Sequence, residues 1–153
     1  MSDSAPSETP DFVPIDDKLC FALYAASHAF TRVYKPLLDA VGLTYPQYLV
    51  MVTLWEEDDR TVGNIGDKLG LESSTLTPLL KRLEAMGHVS RSRDPDDERV
   101  VRIRLTDKGR ALRRETRTIP GCILAATGLD IAGVVRLQRE ITALRKALEQ
   151  AAA

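Results

Sequence analysis

The feature that most constrains this 153-residue chain is a change of hydrophobic period at Gly87. Before it, apolar residues recur at helical spacing. A short helix is predicted from about Val62 to Leu69, with Gly70 as its stop. A second helix carries Leu76, Leu79, Leu80, Leu83 and Met86 on one face, with Gly87 as its stop. Pro78 is tolerated only in a first turn, which predicts a start near Ser74 or Thr75. After Gly87, Val89 precedes Ser90-Arg91-Ser92-Arg93, and Val101, Ile103 and Leu105 alternate with Arg102 and Arg104. Alternation is the strand period, so the segment reads as a two-stranded antiparallel hairpin with its tip at Asp94-Pro95-Asp96-Asp97-Glu98. Helix, glycine turn, helix and hairpin, in that order, predict a mainly α fold with a small β-hairpin wing: a winged helix-turn-helix.

The flanks extend this reading. Residues 1–12 lack apolar periodicity and contain Pro6 and Pro10, so they are expected to be a disordered tail. Residues 13–153 read as one unit. Ile15, Leu19, Ala22, Ala26, Phe30, Val33 and Leu37 fall on one face of a long helix ending near Val41-Gly42. Leu23 and Tyr24 widen that face beyond one stripe, which asks for more than one partner surface and hints at a dimer. Thr44 and Gln47 form a capping box, with Pro46 in the first turn of a helix running to about Trp55. Glu56-Glu57-Asp58-Asp59 reads as a solvated turn. Thr106 caps an arginine-rich helix that is expected to break at Pro120-Gly121, and a last helix spans about Asp130 to Ala151. No apolar run reaches the roughly 18 residues of a membrane span, and the first residues do not resemble an export signal. The reducing cytoplasm is therefore expected, where two cysteines are reduced or redox-active.

Charge separates along the chain. Residues 81–117 hold twelve Lys/Arg and seven Asp/Glu, a local +5 in a chain of net −1. A basic segment on an acidic protein points to a polyanion-binding face, although a solvated helix surface gives the same count. Position decides. The second helix would suit a DNA major groove, which is about 12 Å wide. Its first turns offer Ser73, Ser74, Thr75 and Thr77 to base edges and phosphates, with Lys81 and Arg82 further along for phosphates. Arg99 at the hairpin tip suits a narrow minor groove, and Asp97 stands where it can orient that guanidinium. Taken singly, the serines read as helix caps and the arginines as strand surface; taken together and in order, they read as a DNA interface.

The run Leu69-Gly70-Leu71-Glu72-Ser73-Ser74-Thr75-Leu76-Thr77-Pro78-Leu79-Leu80-Lys81-Arg82-Leu83-Glu84 resembles the recognition region of MarR-family regulators. Asp97-Glu98-Arg99, followed by Leu105-Thr106-Asp107-Lys108-Gly109, resembles that family's wing and exit. Leu19-Cys20-Phe21-Ala22-Leu23-Tyr24 and Leu43-Thr44-Tyr45-Pro46-Gln47-Tyr48-Leu49-Val50 are similar to its organic-hydroperoxide-sensing branch, the OhrR group. The resemblance implies a homodimer whose interface is formed by the first and last helices (13–43 and 107–153), with 44–106 as the DNA-binding region. It also implies a repressor of pseudo-palindromic operator DNA that lets go when Cys20 is oxidised by an organic hydroperoxide.

The thiol chemistry has a residue-level logic. A cysteine reacts with peroxide as the thiolate, so a sensor must stabilise the anion. Lys18 points away on a helix, which leaves tyrosine hydroxyls as donors. Tyr34 is 14 residues on, about 21 Å along one helix, and cannot reach Cys20 in its own chain. Two antiparallel first helices would bring Tyr34 of one chain to Cys20 of the other, with Tyr45 beside it; in the resembled group matching tyrosines play this cross-subunit role. Cys122 lies three residues before Ala125, where the group's second cysteine stands. It either resolves the oxidised Cys20 as an intersubunit disulfide or is inert, leaving a small cellular thiol to cap Cys20.

His28 and His88 have no ligand spacing around them, and there is no CxxC, HExxH or phosphate loop, so neither a metal nor a cofactor is expected. Two rivals remain. One is a regulator of the same family released by a small aromatic ligand, with packed cysteines. The other, a thiol peroxidase, is disfavoured because no basic partner adjoins Cys20; the chain is not expected to be an enzyme.

Overall fold

The computed structural model describes residues 10–153. Most of the expected disordered tail lies outside them. Two compact units divide the chain at Arg32 and Val33.

In the first unit, a single 3-10 turn spans Ile15–Asp17. The long helix does not run through it. Lys18 is extended (φ −79°, ψ 120°), and its carbonyl accepts the Ala22 N–H at 3.0 Å, so α1 (Leu19–Asp39) starts there. Ile15 has the right spacing for the helical face, but spacing does not register a backbone break. Tyr24 and His28 meet edge-on at 4.4 Å between ring centroids. Leu19, Phe21, Tyr24 and Phe30 are exposed along the helix.

The second unit receives the end of α1 and contains the remaining helices, α2 (Tyr45–Glu56), α3 (Val62–Leu69), α4 (Ser73–Ala85), α5 (Asp107–Glu115), α6 (Ile119–Thr127) and α7 (Ile131–Ala152). The capping box is formed: Thr44 Oγ1 accepts the Gln47 N–H, and Gln47 Oε1 accepts the Thr44 N–H at 2.9 Å. Gly70 is left-handed at φ 67° and closes α3, a conformation glycine adopts without a Cβ clash. α4 starts at Ser73, earlier than expected, so Pro78 is its sixth residue. The missing N–H leaves the Ser74 carbonyl without its ladder partner, but Ser74 is exposed and solvent reaches it. Glu72 stands at the N-cap and makes no side-chain cap bond, so neither serine is a cap.

The wing strands are β2 (Val89–Arg93) and β3 (Val101–Leu105), paired antiparallel with Val89 opposite Leu105 and Arg93 opposite Val101. The sheet is three-stranded: β1 (Arg60–Thr61) pairs with the other edge of β3, Arg60 opposite Ile103. Two residues are too short to show a period, which is why the sequence predicts only a hairpin. Thr106 caps α5 by accepting the Gly109 N–H. The break that follows is at 116–118, and Pro120-Gly121 fall inside the first turn of α6. There a proline costs nothing, because its N–H would be unpaired anyway.

The core lies in this unit. Leu38, Val50, Met51, Leu54, Ile65, Leu76, Leu80, Leu83, Val89 and Ile103 are essentially sealed from solvent. They come from α1, α2, α3, α4 and the sheet, so one apolar cluster fixes α4 and the hairpin to the same base. α7 contributes little to it: Ile131 and Leu148 are 70% and 58% exposed, and Leu137 and Ile141 also face solvent. No single helix among the described residues is long and apolar enough to cross a membrane.

Candidate DNA interface and thiol site

Burial of Leu76, Leu80 and Leu83 turns the opposite face of α4 outward. Ser73, Ser74, Thr75, Lys81 and Arg82 are exposed there, and Thr77 is half-buried. No side chain caps α4, and Ser73 and Ser74 at its start are exposed; such a helix end favours anions such as phosphates. Arg99 stands out from the wing with 91% of its side chain exposed, and Asp97 takes it in a two-point pair at 3.1 and 3.3 Å. That pairing, with the Arg99 N–H as a further donor, holds the Asp97 carboxyl below the usual carboxylate range. A cleft of about 390 Å³ brings Ser73 and Thr77 together with Arg99, and Arg91 and Thr61 line it too.

Five of the ten arginines in the basic segment, Arg99 among them, are already in ion pairs. Arg91 meets Glu84 at 3.2 Å, Arg104 meets Asp59 at 3.1 Å, and Arg110 meets Asp107 and Asp58. Arg102 meets both Asp59 and Asp94. Lys81 and Arg82 have no ion pair among the described residues, so they are the cations of α4 available to phosphates. The acidic bend is correspondingly not a mere solvated turn. Asp58 Oδ1 accepts the Leu105 N–H at 2.8 Å, and Asp59 is held between two wing arginines. These pairings are 43 to 52 residues apart in sequence and leave no local spacing to read.

Cys20 is the second residue of α1, in the first unit, and is exposed; Cys122 is exposed on α6. Tyr34 and Tyr45 lie together, ring centroids 4.7 Å apart, and Tyr48 packs on Tyr34 at 5.9 Å. Burial, reinforced by the two neighbouring tyrosines, pushes the Tyr34 phenol up to about 12; burial also raises Tyr45. Both phenols are therefore O–H donors at neutral pH. Tyr48 is a member of this cluster that the sequence reading missed, although it sits three residues after Tyr45 on one helix face. Among the described residues no group of three His, Cys, Asp or Glu is arranged to hold a metal.

The chain matches the sequence family described as Transcriptional regulator SarA/Rot over residues 32–115. It is 56% identical over 117 residues to the HTH-type transcriptional regulator TtmR of Methylorubrum extorquens (strain PA1), covering 76% of this chain but only 60% of that protein's length. It is 42% identical over 140 residues to the organic hydroperoxide resistance transcriptional regulator of Bacillus subtilis (strain 168), covering 92% of this chain and 95% of that one. Among solved structures, reduced AbfR bound to DNA matches with TM-score 0.79 and 35% identity, covering 91% of this chain and 95% of AbfR. Overoxidized AbfR bound to DNA gives 0.72 at 37% identity (87% and 94% covered). Disulfide-formed AbfR gives 0.60 at 37% (89% and 90% covered).

Proposed function

The chain belongs to the MarR family of winged-helix transcriptional regulators, of the SarA/Rot type, a family of DNA-binding proteins rather than enzymes, and from that premise we propose that it is a homodimeric cytoplasmic repressor released from operator DNA when an organic hydroperoxide oxidises Cys20. The observation that carries the reading is the Tyr34–Tyr45 pair: two half-buried phenols, kept protonated, side by side.

In this reading the first and last helices (13–43 and 107–153) pack against a second copy. The exposed Ile131, Leu137, Ile141 and Leu148 of α7 supply apolar surface for it. Antiparallel first helices then bring each Cys20 to the partner's phenols, which donate to its thiolate; the first-turn position in α1 adds the positive helix end. The thiolate attacks the distal peroxide oxygen. The O–O bond breaks, an alkoxide leaves and takes up a proton, and Cys20 becomes a sulfenic acid. A second thiol then displaces water from that sulfur and forms a disulfide, using Cys122 of the partner or a small cellular thiol.

Ser73, Ser74, Thr75 and Thr77 read base edges and phosphates, Lys81 and Arg82 hold phosphates, and Arg99, oriented by Asp97, enters the minor groove. Two recognition helices about 34 Å apart match a pseudo-palindrome, and strain at the interface spoils that spacing. For AbfR, the reduced DNA-bound form is more like this chain than the disulfide form is, while an overoxidized form is also DNA-bound. This supports assigning release to disulfide formation rather than to added oxygens. The test is intact mass under non-reducing conditions, run beside an operator-binding assay, after one equivalent of cumene hydroperoxide. A disulfide-linked dimer, or a Cys20 mixed disulfide when a small thiol is present, is expected to accompany release. Release with every thiol still reduced would sink the reading.

A further inference from the structure

Arg102 holds two distant segments with one planar group. Its Nε donates to Asp59 Oδ1 at 2.8 Å and its Nη2 to the Asp59 carbonyl at 2.9 Å, while Nη1 donates to Asp94 Oδ2 at 3.0 Å. Asp59 closes the bend before β1, and Asp94 opens the wing loop. From Asp94 the bonding continues towards the tip. Its Oδ1 accepts the Asp96 N–H at 2.8 Å, and its own N–H donates to the Val100 carbonyl at 2.8 Å. The Val100 N–H in turn donates to the Asp97 carbonyl at 2.9 Å, and the Asp97 carboxylate takes Arg99. Asp59 sits at φ 57°, in the left-handed region where a residue with a Cβ is held only by its surroundings. Arg102 supplies two of the bonds that hold it.

We propose that Arg102 is a positioning residue for DNA recognition: without touching DNA, it bridges Asp59 and Asp94 and so fixes the wing loop that presents Arg99. This rests on the reading of Arg99 as a minor-groove contact. Two consequences separate it from an ordinary phosphate contact. The Arg102 charge is already met by two carboxylates, so it displaces no counterion when DNA binds, and its removal leaves the salt slope nearly unchanged. Lysine, a single-point ammonium, does not replace a fork bonded to three oxygens.

The test compares two operator duplexes, A·T-rich and G·C-rich at the base pairs under the wings, across a salt series. Arg99→Ala is expected to erase the A·T preference. Arg102→Gln is expected to cut it about fivefold or more, the lower end of what one base pair contributes, with little change in salt slope. Arg102→Lys stays close to Arg102→Gln, and the Arg99→Ala/Arg102→Gln double variant matches Arg99→Ala alone. Asp94→Asn, which breaks the same bridge from the other side, gives the same loss should Arg102→Gln fold poorly. An additive double variant, or full rescue by lysine, overturns the positioning role. If Arg99→Ala leaves the preference intact, the minor-groove reading is what fails, and the role of Arg102 falls with it.

Discussion

Cys20→Ser is expected to bind operator as the unsubstituted protein does and to stay bound in cumene hydroperoxide. Serine keeps the size and the helix position, so packing and DNA contacts are undisturbed, but its hydroxyl is not oxidised. The unsubstituted protein should lose about a thousandfold in operator affinity on oxidation, the lower end of the gap between specific and non-specific binding. The serine variant should change by less than about twofold, within ordinary surface-substitution effects. Fluorescence anisotropy of a labelled operator, with and without peroxide, reads both. A Cys20→Ser protein that still lets go would assign the response elsewhere, to Cys122 or to a bound ligand.

Gly109→Ala is expected to be the most damaging small change in the described structure. Gly109 is the third residue of α5, and its N–H donates to Thr106 Oγ1 while its carbonyl accepts the Trp55 indole N–H at 2.9 Å. Its Cα faces the chain at His88, where an added methyl would overlap the carbonyl oxygen and come within 3.0 Å of the carbonyl carbon. Neither neighbour yields easily. The His88 carbonyl accepts the Thr106 N–H, and the His88 ring is buried with Nδ1 unpartnered. A backbone clash of this kind should cost about 3 kcal/mol or more, lowering Tm by roughly 6–12 °C at fixed protein concentration. Gly121→Ala is the control. It also lies in a helix, but nothing stands within 4 Å of the added Cβ, so it should be neutral or stabilise by up to about 1 kcal/mol. Thermal melts of the two variants side by side would contradict this account of the α5–wing junction if they coincided.

What the sequence disclosed and what it hid divide by range. Capping chemistry is local, so Thr44, Gln47 and Thr106 marked their helix starts, and Gly70 its helix end, without tertiary information. Five-residue alternation made β2 and β3 legible. β1 exists only because Arg60 and Thr61 lie beside β3, and two residues carry no pattern of their own. Asp58 and Asp59 look like solvent-facing acids until the wing supplies Leu105, Arg102 and Arg104, and α5 supplies Arg110, as partners. Pro120 reads equally as a breaker or a starter, and only the backbone around Thr118 decides. In the candidate site, Ser73, Thr77 and Arg99 were legible from order and charge, whereas the pairing of Arg91 with Glu84 and the bridge through Arg102 form only in the folded chain and leave no sequence pattern.

The central claim is that each Cys20 is activated by the phenols of the other protomer, and heterodimers test it most directly. In one, a single protomer carries Cys20→Ser with Tyr34→Phe and Tyr45→Phe, so the surviving thiol faces a partner without phenols. In the other, one protomer carries Cys20→Ser and its partner carries the two Phe substitutions, so the surviving thiol faces intact phenols. Stopped-flow oxidation by cumene hydroperoxide should be slow in the first and close to the unsubstituted rate in the second. The reverse order, or equal rates in both, would contradict the account.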